Sequence, residues 1–152
     1  MENTDTKILE ILTRDARTPH AQIAEMVGLS RPAVTERVKK MEQFGIIKGY
    51  SAILNPEQFN KTITAFISAK HLGILDEKIQ YALKKLVENP DILEIHSIAG
   101  EDCFLIKVRT CDMKSLNKIV NSLKAPPLSL STKTTIVLES YFEKIGGTVL
   151  NL

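Results

Sequence analysis

The sequence predicts an α+β chain in two parts: an N-terminal winged helix-turn-helix, then a C-terminal unit of order βαββαβ. Three observations carry this. Before about residue 50, apolar residues recur at helical spacing in short segments. After residue 61, strand-like runs alternate with helix-like runs. The join, SAILNPEQFNK, holds Asn55-Pro56, a dipeptide that marks a turn. The expected division is 1–50 for the helical unit, 51–61 for a linker, 62–141 for the mixed unit and 142–152 for a tail.

In the first helix, Asp5 is the expected cap and Ile8, Leu9, Ile11 and Leu12 form the inward face. Pro19 stops the polar stretch that follows and opens a second helix over 20–27, with Ile23, Ala24 and Val27 on one side. Gly28 can take the left-handed conformation that ends a helix tightly. Ser30 is a good N-cap, and Pro32 is tolerated in a first turn, where its missing N–H is not needed. The third helix then runs to about Phe44, with Val34, Val38 and Met41 as its buried stripe and Gly45 as its stop. Arg31, Thr35 and Lys39 share a different face, flanked by Arg37 and Lys40. Residues 46–53 read as a strand, serving as a wing or as a link.

In the second part, residues 63–69 alternate as a half-buried strand does. Residues 76–87 are helical, with Ile79, Leu83, Leu86 and Val87 inward, and Asn89-Pro90-Asp91 breaks them. Strands over 92–99 and 103–110 are joined by Gly100-Glu101-Asp102 as a tight hairpin. A helix over 113–123 turns Leu116, Ile119, Val120 and Leu123 inward, and 132–141 is the fourth strand. This order is the ferredoxin-like arrangement of one antiparallel sheet with two helices on a face.

Composition narrows the function. With 152 residues, 43% hydrophobic and 25% charged, the chain is neither disordered nor a disulfide scaffold. No stretch reaches the ~20 apolar residues of a membrane span, and no secretory signal is seen, so the cytoplasm is the expected location and no membrane partner is expected. Net charge is only +2, yet residues 31–48 hold Arg31, Arg37, Lys39, Lys40 and Lys48 against Glu36 and Glu42. Such a cluster is either a solvated helix face or a phosphate-binding footprint. His20, His71 and His96 have no metal-ligand spacing, Cys103 and Cys111 lack a nucleophile context, and no Gly-rich phosphate loop is present. Neither a metal, a cofactor nor an enzymatic activity is expected.

A Gly turn followed by a Ser-capped helix suits double-stranded DNA, because the major groove of B-DNA admits a helix. The expected DNA contacts are Ser30, Arg31, Pro32, Thr35, Arg37, Lys39 and Lys40. Residues 5–56 resemble the DNA-binding domain of the Lrp/AsnC (leucine-responsive/asparagine-responsive) family of prokaryotic transcription regulators. The matching pieces are IL at 8–9, DAR at 15–17, IAEMVGLS at 23–30, ERV at 36–38 and GIIKGYSAILNP at 45–56. IAGEDCFLIKV at 98–108, DM at 112–113 and STKTTIVLE at 131–139 resemble the effector-binding, oligomerising domain of that family.

The resemblance implies a homodimer or a larger ring such as an octamer, and an amino-acid effector bound near the hairpin where dimers meet. The family's Gly-acid-aromatic-Asp-aromatic segment here reads Gly100-Glu101-Asp102-Cys103-Phe104, with Cys103 in place of the second acid. N–H groups of a Gly turn suit a carboxylate, and Glu101 or Asp102 could replace the lost acid toward an ammonium. Thr132 and Thr134 either face the same pocket or are plain sheet residues. The implied role is control of amino-acid metabolism or transport genes. The alternative is an effector-independent protein that organises DNA.

Overall fold

The computed structural model describes residues 3–73 and 76–143. Of the segment read as a tail, residues 144–152 lie outside them. The chain divides into two compact units between Ile53 and Leu54, the second running to Tyr141.

The first unit is built from α1 (Asn3–Arg14), α2 (His20–Val27) and α3 (Arg31–Gln43). Their apolar stripes meet in one core of Ile8, Leu9, Leu12, Ile23, Ala24, Val34, Val38 and Met41. Fully burying each large aliphatic side chain is worth about 1.5–3 kcal/mol, which is what holds such short helices together. Gly28 takes φ 72 and donates to the Ala24 carbonyl. An αL residue there costs glycine nothing and turns the chain sharply into α3. Ser30 caps α3 by accepting from the Ala33 N–H, and Pro32 sits in its first turn.

Two expectations fail in this unit. Asp5 does not cap α1; it lies inside the first turn and binds Arg37. No strand forms over residues 46–53, so among the described residues the helix-turn-helix has no wing strand. The physical reason is local. The Ile46 and Ile47 amides both donate to the Met41 carbonyl, so they finish α3 instead of starting a ladder. Tyr50 is drawn back the same way, its hydroxyl donating to Glu42 Oε1 at 2.9 Å.

The second unit runs β1 (Ile63–Lys70), α4 (Glu77–Lys85), β2 (Ile92–Ser97), β3 (Phe104–Thr110), α5 (Met113–Lys124) and β4 (Ser131–Ile136). The sheet order is β2-β3-β1-β4, every pair antiparallel. This is the ferredoxin-like arrangement that the sequence predicts. Asp76 and Asp112 cap α4 and α5 by accepting from the Ile79 and Ser115 amides. Ala65, Ile67, Ala69, Ile106 and Val108 meet Ile79, Leu116, Ile119 and Leu123 in the core. The other face presents Phe66 and Leu105, with Lys107 opposite Phe66.

Three differences from expectation have physical causes. Strand β4 stops at Ile136 because its partner runs out: Val137 makes the last bond, to the Thr64 carbonyl, and β1 begins at Ile63. Val87 follows α4 in a separate 3-10 turn (Leu86–Glu88) and is 76% exposed instead of inward. The β2–β3 connection is wider than a three-residue hairpin. Ile98 donates to the Cys103 carbonyl, so residues 99–102 form the loop.

The Asn89-Pro90-Asp91 turn is a polar clip. Asp91 accepts from the fully buried Thr110 hydroxyl at 2.7 Å, and its other carboxylate oxygen pairs with Lys61. Its own carbonyl takes the Arg109 N–H. The carboxylate beside Lys61 holds that ammonium above the ordinary lysine range.

Candidate nucleic-acid interface and effector site

Helix α3 buries Val34, Val38 and Met41 and turns Arg31, Pro32, Thr35, Glu36 and Lys39 outward around a shallow depression. Arg31 and Lys39 carry no ion pair among the described residues, so their charges are available to an anion. The Ser30 hydroxyl is engaged at the cap, 3.4 Å from the Ala33 amide. Lys40 pairs with Glu36 at 3.0 Å, an exposed i,i+4 link that keeps the Glu36 carboxyl below its ordinary range. Exposed pairs of this kind are weak and exchange readily for a phosphate.

Arg37 is a correction. Its guanidinium lies 2.8 Å from Asp5 and is half-buried, tying α3 to α1 instead of facing outward. The reading of Arg37 as a flank of the DNA face missed this because the ion pair spans 32 residues. A second residue was missed. His20 Nδ1 lies 2.9 Å from Thr35 Oγ1, and that hydroxyl also donates to the Arg31 carbonyl at 3.0 Å. No spacing rule links positions 20 and 35. Only the crossing of α2 and α3 does.

The candidate effector residues gather at one end of the sheet. Cys103 donates its N–H to the Ala69 carbonyl, and Ala69 pairs with Phe104 on one side and Thr132 on the other. Gly100 lies in the adjoining loop at φ 151, a conformation that favours glycine. Glu101 is exposed and Asp102 half-buried. The Cys103 thiol is 3.8 Å from the His71 carbonyl. Thr134 sits further along, opposite Ile67, and is exposed. Phe104 is a correction: only 5% exposed, it belongs to the core. Its place in a β-strand that alternates buried and half-buried residues explains this.

His71 joins this end of the sheet and was not singled out from the sequence for an effector. Its Nδ1 and the Thr132 Oγ1 are buried without a hydrogen-bond partner among the described residues. A buried polar atom left alone costs about 1–3 kcal/mol, so these two atoms call for a ligand or water.

A three-helix unit with a glycine-turned, serine-capped outer helix, joined to a ferredoxin-like unit, defines a helix-turn-helix transcription regulator with a ligand-binding domain. The model of the AsnC-type helix-turn-helix domain matches residues 1–42, and that of the Lrp/AsnC ligand-binding domain matches residues 64–146. The regulator FL11 of Pyrococcus furiosus is 32% identical over 143 residues, covering 94% of this chain and 93% of its own. The leucine-responsive regulatory protein of Escherichia coli is 32% identical over 144 residues, covering 91% and 85%. The Mycobacterium tuberculosis feast or famine regulatory protein, complexed with L-methionine, has a TM-score of 0.86 at 25% identity, covering 96% of this chain and 97% of its own. This chain belongs to the Lrp/AsnC family, a family of DNA-binding transcription regulators and not of enzymes.

Proposed function

We propose that the chain is a sequence-specific, homo-oligomeric regulator whose operator affinity responds to an amino acid. The observation that carries the DNA part is the outer face of α3, where Arg31 stands at the capped N-terminus and Lys39 about two turns along, neither with an ion pair among the described residues. Of the seven residues read as DNA contacts, Arg31, Pro32, Thr35 and Lys39 form the face proposed to enter the groove. Ser30 sets the helix start, and Lys40 reaches phosphate by leaving Glu36.

The effector part rests on the polar atoms of His71 and Thr132 beside the Gly100–Cys103 loop, and on the methionine complex of the mycobacterial relative. In this reading the loop N–H groups take the carboxylate and Asp102 or Glu101 takes the ammonium. Self-association uses the sheet face of Phe66 and Leu105, the face opposite the buried residues of β1 and β3. A dimer presents two copies of α3 to half-sites about one helical turn apart. Rings of dimers, genes of amino-acid metabolism or transport as targets, and a cytoplasmic location complete the proposal. No helix among the described residues is long and apolar enough to cross a membrane.

The test is genome-wide mapping of bound sites with and without a mixture of amino acids, paired with calorimetric titration of each amino acid. Discrete sites that shift with the mixture are expected. Indiscriminate coverage unaffected by it would favour the DNA-organising alternative.

A further inference from the structure

The Thr35 hydroxyl has one proton, and the Arg31 carbonyl at 3.0 Å receives it. The 2.9 Å contact with His20 can then be satisfied at the same time only if His20 Nδ1 carries a proton and donates it to Thr35 Oγ1. The hydroxyl is therefore fixed by two partners within the protein, one from each helix of the helix-turn-helix. A hydroxyl held in this way does not donate to a base edge. What Thr35 still offers outward is its methyl group and one acceptor lone pair, and of these only the methyl suits an apolar surface.

Thr35 lines a depression together with Arg31, Pro32, Glu36 and Lys39, and its walls are mostly carbon. The proline ring and the alkyl stems of Arg31, Glu36 and Lys39 line it too, and the two basic ends suit flanking phosphates or a guanine. Of the groups that base pairs present in the major groove, only thymine offers an apolar one, its C5-methyl. We propose that this depression receives a thymine methyl, with Thr35 as the contact and His20 as the positioning residue that holds its rotamer. The proposal rests on α3 being the helix that enters the groove, and adds which base it reads and by which atom.

The test begins with selection of bound duplexes from a random pool by the full-length protein. Each thymine of the selected half-site is then replaced by deoxyuridine, which removes only the methyl. One methyl taken from a buried contact is worth about a four-fold change in affinity. At one thymine per half-site, wild-type protein should lose about that factor. Thr35→Ser, which keeps the hydroxyl and deletes the methyl, should bind the thymine and uracil duplexes equally.

Thr35→Val, which keeps the methyl, should still discriminate. His20→Ala should reduce the discrimination in the wild-type background and leave it unchanged in the Thr35→Val background. Melting curves of all variants should match wild type, since both side chains lie outside the core. The proposal is overturned if no thymine shows a methyl effect, or if Thr35→Ser discriminates as wild type does. It is also overturned if Thr35→Val loses specificity that Thr35→Ser keeps, because the hydroxyl would then be the reader. Failure to select any duplex would instead remove the DNA-binding role of α3, and this inference with it.

Discussion

Arg31 and Lys39 differ from Arg37 and Lys40 in what they already touch. Arg37 is committed to Asp5 and Lys40 to Glu36, whereas Arg31 and Lys39 have no carboxylate partner among the described residues. Arg31→Ala should therefore weaken operator binding by roughly 1–3 kcal/mol and relax one base position if it reads guanine, or weaken all duplexes equally if it meets phosphate. Electrophoretic titration against the selected operator and a scrambled one separates these outcomes, and Lys39→Ala should give the uniform loss with a shallower salt dependence. Tyr50 offers a residue-scale pH test. Burial, with help from the bond to Glu42, pushes its phenol up to about 12. An exposed phenol ionises near 10. The neutral phenol makes the bond, so its contribution is complete below pH ~10 and is lost as pH rises from there through about 12. Phenolate absorbance should show a late-titrating phase, and Tyr50→Phe should remove it.

Among the elements, α3 depends on its buried stripe and the sheet on its polar clip. Val38 is 2% exposed, so Val38→Asp places an unpaired carboxylate in the three-helix core at a cost of several kcal/mol. The helical signal of that unit should collapse in circular dichroism while the sheet persists. Asp91→Ala strands the buried Thr110 hydroxyl, which should cost about 1–3 kcal/mol in urea denaturation. The elements that the sequence revealed best are those fixed by adjacent residues: α2 ends where Gly28 turns, and α3 starts where Ser30 caps. Elements that depend on distant partners were harder to bound. Residues 46–53 have strand-like composition, but Ile46 and Ile47 find their hydrogen bonds at Met41, and the end of β4 is set by where β1 begins. The same division holds in the sites. Arg31, Thr35 and Lys39 follow from helical spacing, while the Arg37–Asp5 and His20–Thr35 contacts require knowing how helices cross.

For the whole molecule, the two cores share no residue. A fragment spanning Leu54–Tyr141 should therefore stay folded, keeping its own core and the Lys61–Asp91 pair, and should sediment as a dimer or larger through the Phe66 face. Sedimentation as a monomer would move self-association to the helical unit. The sheet order has a further consequence, in time instead of space. Strand β1 is flanked by β3 and β4, and β4 is the last strand among the described residues. While the ribosome is still at work, the helical core can form from local contacts as soon as it emerges, since every residue of that core precedes Ile53. Strand β1 must wait with one edge bare until Ser131–Ile136 has left the tunnel. During that interval the nascent chain carries a packed helix-turn-helix core while its sheet is still incomplete.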